Sequence, residues 1–307
     1  MITIKNESQI EKMRKAGVLL HSVLDALRNE IEPGVTTLHL DHMAEKLIRD
    51  AGALPSFKGY EGFPYSICAS VDDQVVHGFA TKDKLRNGQL ISIDCGVILD
   101  GWQSDSAFSV LVGGGSKEAQ KLVDVTEECF WLGANMARSG NHLGDISHAV
   151  QTHAEAHGYG VIRDLCGHGI GQEMHEDPNV PNYGKPGRGV KLQAGMTIAI
   201  EPMISMGTWK VFVDDNDWTI CTQDGSIASH YEHTVLITDG EPEILSYPGM
   251  EVKKVLERIK CLRFRLRLGV WSSRKPDATA EGCSWSSAKS TPILSMLPTV
   301  SCEAWST

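Results

Sequence analysis

A ten-residue pattern occurs twice in this chain. Residues 85–94 and residues 192–201 both read L-x-x-G-x-x-I-x-I followed by a carboxylate, Asp94 in the first copy and Glu201 in the second. Each copy is followed by a later strand-like run with another acid inside it, Asp105 and Glu232. Apolar residues at every second position belong in strands. A carboxylate inside such a run is costly to bury unless it is paired or holds a cation. Four acids in four apolar strands repel one another unless cations sit among them. Taken by itself, the ten-residue match is equally compatible with chance similarity between two strands. The acids favour a chain built in two halves on one plan, with Asp94, Asp105, Glu201 and Glu232 converging at the centre of a shared sheet.

The elements around the repeat are mixed. A capping box at Ser8 to Glu11 opens a predicted helix whose apolar positions are Ile10, Met13, Gly17, Leu20, Leu24 and Leu27, and Pro33-Gly34 stops it. A second helix is expected from Thr36 or Thr37 and is closed by Gly52. A third runs from Ser116 toward Gly140, and a fourth from Asp145 to Gly158. Residues 65–71, 90–99 and 102–112 read as strands, the last two as a hairpin turned at Asp100-Gly101. Residues 196–206, 210–222 and 229–238 read as three more. Hairpins with loosely interspersed helices predict an α+β fold.

Histidine completes the chemistry. Gly167-His168-Gly169-Ile170-Gly171 sets an imidazole between glycines, where backbone can approach closely, and His175-Glu176 follows. A single histidine is more often a core or surface residue than a ligand. Four carboxylates and one imidazole, however, make an oxygen-rich site that suits a pair of divalent ions such as Mn²⁺, Fe²⁺, Co²⁺ or Zn²⁺. Two bridged metals activate water and stabilise a tetrahedral intermediate. His77, in Val75-Val76-His77-Gly78, precedes the first acid-bearing strand. It reads either as a loop histidine or as a hydrogen-bond donor to substrate.

Val76-His77-Gly78, Ile93-Asp94-x-Gly96, Asp105, the 167–171 segment, His175-Glu176, Ile200-Glu201-Pro202 and Tyr231-Glu232-His233-Thr234 together resemble the methionine aminopeptidases, type I most closely, over about residues 1–245. The resemblance implies the pita-bread fold, two pseudo-symmetric αβ halves around a curved antiparallel sheet with helices outside. It implies two divalent metal ions (Co, Mn, Fe or Zn) on Asp94, Asp105, His168, Glu201 and Glu232. Asp105 and Glu232 would bridge, Asp94 would serve one ion, and His168 with Glu201 the other. His77 and His175 become the substrate-side histidines, and Glu201 the proton shuttle. Tyr60, Phe63, Cys68 and Trp218 fall at the walls of the methionine pocket. Phe63 stands where tyrosine is frequent in the family, and Met174 where phenylalanine is. The implied activity is removal of the initiator methionine from nascent proteins when the second residue is small. The 33 residues from His168 to Glu201 leave no room for the type II insertion, and the first cysteine is Cys68, so no N-terminal zinc segment of the eukaryotic type I kind is expected. The chain is similar to the bare bacterial form. Two alternatives remain: a pita-bread peptidase acting at Xaa-Pro, which usually carries a long N-terminal domain, and a non-catalytic binding homologue, which would have lost metal ligands.

Composition agrees. With 41% hydrophobic and 22% charged residues the chain matches ordinary globular proteins. No apolar run approaches the roughly 18 residues of a membrane span, so no membrane partner is expected. The net charge of −10 argues against DNA as a partner. The chain does not open on a basic stretch followed by an apolar one, and its eight cysteines form no CxxC, so a cytoplasmic protein with reduced thiols is expected, acting as a monomer. Residues 251–307 differ, with ten basic and five acidic side chains. Residues 262–268 alternate apolar and basic positions, the period of a basic strand suited to transient contact with the anionic ribosome. Residues 271–307 hold nine serines and three of the seven tryptophans, too little contiguous apolar area to offset the entropy of ordering. The reading therefore divides the chain into a dimetal catalytic domain, 1–248, and an atypical basic, Ser/Trp-rich tail, 249–307. The tail is expected to be a disordered or out-of-frame extension rather than a second folded domain.

Overall fold

The computed structural model describes residues 1–267. In chain order the strands are β1 (Leu54–Pro55), β2 (Ile67–Val71), β3 (Gln74–Val76), β4 (Leu90–Leu99), β5 (Trp102–Leu111), β6 (Gly160–Val161), β7 (Gly167–Gly169), β8 (Glu176–Val180), β9 (Thr197–Ile200), β10 (Met203–Ser205), β11 (Val211–Val213), β12 (Ile220–Thr222), β13 (Ala228–His230), β14 (Glu232–Leu236) and β15 (Glu243–Ile244). The helices are α1 (Glu7–Glu30), α2 (Thr37–Asp50), α3 (Lys117–Met136), α4 (Leu143–Ala156) and α5 (Val252–Arg267).

Both halves of the repeat meet in the middle of one nine-stranded sheet. Its order is β1-β4-β5-β14-β9-β7-β8, with β2 also on β4 and β15 also on β14. The first half supplies β4 and β5, a hairpin in register from Leu90↔Leu111 to Leu99↔Trp102. Its two turn residues, Asp100 and Gly101, have φ of 51° and 76°, as a two-residue hairpin loop requires. The second half supplies β9 and β14, paired antiparallel from His233↔Ile200 to Leu236↔Thr197. The seam between the halves is the β5–β14 pairing, Glu232↔Ala107 and His233↔Ser106.

The helices cover this sheet with their apolar faces. Leu20, Leu24 and Leu27 of α1 and Leu40, Ala44 and Ile48 of α2 share a core with Ile91, Ile93 and Val97 of β4. Leu122 and Val125 of α3 and Val150 and Ala154 of α4 form a second cluster with Leu90 of β4 and Leu111 of β5. Each buried Leu, Ile or Val among them contributes roughly 1.5–3 kcal/mol by leaving water. Gly17 marks the tightest helix contact, because a β-carbon there would lie 2.0 Å from the Leu245 carbonyl oxygen.

Several boundaries differ from the sequence reading. Asn6, not Ser8, caps α1: Gln9 N–H donates to Asn6 Oδ1 and Asn6 N–H to Gln9 Oε1. Both Asn6 and Ser8 have a Gln or Glu three residues on, and it is the Asn6–Gln9 pair that closes the box, satisfying two amides at once. Helix α4 begins at Leu143, and Asp145 is its third residue, accepting the His142 N–H at 2.7 Å. The three long strands expected over 196–206, 210–222 and 229–238 are each two short ones. β9 breaks from β10 at Glu201-Pro202, and β13 from β14 at Tyr231. At Glu201-Pro202 the chain leaves the nine-stranded sheet for a three-stranded one, β13-β10-β6, and at Tyr231 it returns. Residues 211–222 instead form a β11–β12 hairpin, which pairs with β3.

The period-two stretch near residue 262 is corrected too. Residues 262–267 belong to α5, not to a strand. Val252, Val255, Leu256 and Ile259 precede it at three- and four-residue spacing, and Lys, Arg, Leu and Glu are strong helix formers. The helical period is thus set upstream of the alternation. The compact unit that contains both halves runs from Met1 to Leu256, eight residues past the expected boundary, and Val252 and Val255 are buried. A second unit begins at Glu257. The Ser/Trp-rich residues expected to be disordered lie outside the described residues. Among the described residues no helix is long and apolar enough to cross a membrane.

Candidate metal centre

The two strand breaks are where the acids sit. Glu201 follows β9 directly, and Glu232 begins β14, beside the break at Tyr231. Asp94 and Asp105 lie on β4 and β5, where Asp94 pairs with Ala107 and Asp105 with Gly96. His168 is the middle residue of β7, and its glycine flanks have a steric cause. A β-carbon at Gly167 would lie 2.3 Å from the Ala199 carbonyl oxygen, and one at Gly169 2.2 Å from that of Asp177. The five side chains converge. His168 Nε2 is 3.9 Å from Asp105 Oδ2 and 3.8 Å from Glu201 Oε1.

The surroundings hold these groups in place. Thr234 ties Asp105 down twice, its hydroxyl accepting the Asp105 N–H at 3.0 Å and donating to the Asp105 carbonyl at 2.9 Å. Ser106 Oγ donates to the Glu232 carbonyl at 2.7 Å, so each half pins an acid of the other across the seam. Asn182 Nδ2 donates to the Glu201 carbonyl at 2.8 Å. His168 Nδ1 lies 2.8 Å from the Gly169 carbonyl. A carbonyl only accepts, so Nδ1 carries the proton and the Nε2 lone pair faces the acids, as in a metal-ligating imidazole.

The electrostatics call for a cation. Burial, then the neighbouring Asp105 and Glu201, push the Asp94 carboxyl well up. Burial raises Asp105 to about 7. Glu201 and Glu232 are raised by burial first and by nearby acids second. Burial lowers His168 to about 4, which keeps it neutral. Among the described residues, Asp94 Oδ1, Asp105 Oδ1 and Glu232 Oε1 are buried without a hydrogen-bond partner. A buried carboxylate oxygen left unpaired costs several kcal/mol. Three of them facing one another beside a neutral imidazole lone pair fit divalent cations, and Asp105, His168 and Glu232 present donor atoms within 4.8 Å of one another.

A small cavity of about 140 Å³ opens onto these acids. Tyr60, Phe63, Cys68, His77, His175 and Trp218 all line it, with Phe57, Glu61 and Met174. It is well below the roughly 300–1,000 Å³ of sites that take whole drug-sized ligands; it suits one side chain. Phe63 and Trp218 meet edge to face at 5.2 Å. Cys68 is opposite Asp94 across the β2–β4 pairing, and burial pushes its thiol well up, so it is an apolar wall rather than a thiolate. Tyr60 Oη is 2.8 Å from His175 Nδ1, and the His175 ring lies 4.4 Å from that of His168. His77 takes the left-handed conformation at φ 57° just past β3, and its carbonyl accepts from Thr219 Oγ1. Burial, with His175 close by, lowers His77, and burial lowers His175. Both imidazoles are therefore neutral donors at pH 7.

His230 was missed by the sequence reading. It is fully buried, and its Nε2 is 3.6 Å from Glu232 Oε2 and 3.9 Å from Glu201 Oε2. Burial pushes it down to about 3. The available signal was its place two residues before Glu232, on the same face of an extended chain.

Comparison with known proteins agrees with this geometry. The model of metallopeptidase family M24 matches residues 11–239. The chain is 54% identical over 247 residues to a methionine aminopeptidase of Clostridium acetobutylicum, covering 80% of this chain and 99% of that protein. It is 43% identical to methionine aminopeptidase 1 of Bacillus subtilis, with the same coverage. The crystal structure of methionine aminopeptidase from Thermotoga maritima superposes with a TM-score of 0.79 at 44% identity, covering 80% of this chain and 99% of that one. The prolidase of Pyrococcus furiosus, at 23% identity and a TM-score of 0.65, shares the fold. The fold is the pita-bread fold, and the chain belongs to metallopeptidase family M24, among its methionine aminopeptidases.

Proposed function

We propose that this chain removes the N-terminal methionine from nascent peptides whose second residue is small, using two divalent cations. Asp94, Asp105, His168, Glu201 and Glu232 would hold them, Asp105 and Glu232 serving both, Asp94 one and His168 with Glu201 the other. The observation that carries this reading is a cluster of orphaned, buried carboxylate oxygens at the floor of an apolar cavity sized for one side chain. When bound, the cations polarise the scissile carbonyl and make water a better nucleophile. The chain's own residues do the rest. Phe63, Cys68 and Trp218 enclose the methionine side chain and keep water from it. His77 and His175, neutral, donate hydrogen bonds to the scissile peptide. Glu201 takes the proton of the attacking water on its carboxylate and delivers it to the leaving amine. Brief contact with the ribosome through the basic residues after 252 belongs to the same proposal, as does a monomeric enzyme.

The test is turnover by metal-stripped protein resupplied with Mn²⁺, Fe²⁺, Co²⁺ or Zn²⁺ one at a time. Metal-dependent release of methionine from Met-Ala-Ser is expected, with little from Met-Lys or Met-Trp peptides and none from Leu-first ones. Faster release of Xaa from Xaa-Pro would sink this reading in favour of a prolidase-like one. Loss of both metals is expected from Asp105→Ala. An Asp105→Ala protein that still takes up two equivalents of Mn²⁺ tightly would overturn the ligand assignment.

A further inference from the structure

We propose that His230 is a sixth metal ligand, giving the Asp94 side of the centre an imidazole of its own. The proposal rests on the two-cation reading above. His230 ends β13 in the three-stranded sheet, and Glu232 opens β14 in the nine-stranded one. The chain crosses between sheets at Tyr231, so two side chains on one face of an extended segment are delivered to the same place. The backbone of His230 is fastened there. Its N–H donates to Ser109 Oγ at 3.0 Å, and its carbonyl accepts from the same hydroxyl at 2.8 Å. Ser109 belongs to β5, the strand of Asp105.

The side chain then has one direction in which to find a partner. Nε2 is buried and without a hydrogen bond among the described residues. A buried nitrogen left that way costs about 1–3 kcal/mol. The atoms it faces are Glu232 Oε2 at 3.6 Å and Glu201 Oε2 at 3.9 Å. With Asp94 and Glu232 it forms a group whose donor atoms lie within 4.8 Å of one another. These separations are too long for hydrogen bonds. They match the spacing of neighbouring donors on a common ion, roughly 3–4 Å when each bond to the metal is about 2.0–2.2 Å. His168 stands at comparable distances from Asp105 and Glu201. The centre therefore has two imidazoles, His168 on one side and His230 on the other.

This arrangement has a chemical consequence. A site of carboxylates and water favours Mg²⁺ or Mn²⁺, and an imidazole shifts preference toward Zn²⁺, Fe²⁺ or Ni²⁺ and their neighbours. With His230 in place, neither cation sits in an all-oxygen shell. The second equivalent binds more tightly and discriminates more strongly for Co²⁺ and Zn²⁺ over Mn²⁺ than carboxylates by themselves allow.

The experiment is calorimetric titration of the metal-free full-length chain with Co²⁺ and, separately, Mn²⁺, for wild type and His230→Gln. Glutamine keeps a polar group of similar reach but removes the imidazole. The first equivalent should be unchanged, and the second should weaken tenfold to a hundredfold for Co²⁺ and less for Mn²⁺. A second equivalent within about twofold of wild type for both metals overturns the proposal. A wild type that takes up only one equivalent fails the two-cation reading instead. X-ray absorption on wild-type protein loaded with two equivalents of Zn²⁺ needs no variant. One imidazole per zinc is the expected count, and one shared between two zincs overturns the proposal even if His230→Gln does not fold.

Discussion

His77 carries an unusual backbone for a residue with a β-carbon, φ 57°. Such a conformation costs of order 1–3 kcal/mol and persists where its surroundings impose it. His77→Ala tests the imidazole and the backbone together, whereas His77→Asn keeps a residue type that tolerates this conformation. Both variants should bind metal normally and lose roughly 10²- to 10⁴-fold in kcat/KM. Activity within about threefold of wild type in His77→Asn would make the residue structural. Thr234 offers a second test. Thr234→Val strips the hydroxyl that serves both the N–H and the carbonyl of Asp105. The variant should lose about 1–3 kcal/mol of stability and bind metal 10- to 100-fold more weakly; unchanged titration curves would show that Asp105 needs no such support. The four acid positions were legible because a charge in an apolar strand is an anomaly in any sequence, and His168 because glycines flank it on both sides. His230 was not. In a strand that already holds Glu232 and His233, one more polar residue reads as surface, and only the jump between sheets turns it inward.

At the scale of elements, legibility followed the strength of local signals. The β4–β5 hairpin could be read to within one residue, its turn included, because alternation and an Asp-Gly turn specify the same register twice. The strands of the second half could not, since nothing in residues 196–206 or 229–238 says that the chain changes sheet partway along. Pro202 was the one clue, being unable to donate to a ladder. The third helix was expected to reach Gly140 but stops at Met136, and the chain then crosses to the second half, Ser139 N–H donating to the Thr238 carbonyl. Helix α5 bears on where the folded enzyme ends. Val252 is 0% exposed and Val255 8%, so a chain ending at Pro248 should lose roughly 3 kcal/mol or more of buried apolar area. Its melting temperature should fall, while a chain ending at Leu268 should melt like the full length and turn over Met-Ala-Ser at the same rate. Equal melting of both truncations would return the boundary to residue 248.

At the scale of the molecule, the metal centre and the fold are one thermodynamic system. Cations bind the folded chain and not the separated ligands, so a cation present at a hundred times its Kd adds about 2.7 kcal/mol. Removing metal with a chelator should therefore lower the melting temperature by roughly 5–10 °C, and readdition of Co²⁺ or Mn²⁺ should restore it. No change on chelation would mean that the acids are held apart well enough without cations. The seam between β5 and β14 carries this further. Asp94 and Asp105 precede the exposed turn at Gly113 and Gly114, and His168, Glu201 and Glu232 follow it. A gene interrupted between residues 114 and 115 would encode two pieces that each hold an incomplete set of ligands. Their reassembly would be gated by cation concentration, about a hundredfold tighter association for each ion held at a hundred times its Kd. Such a pair would serve as a two-component reporter for free transition metal, read out by sedimentation of the mixed fragments with and without Mn²⁺.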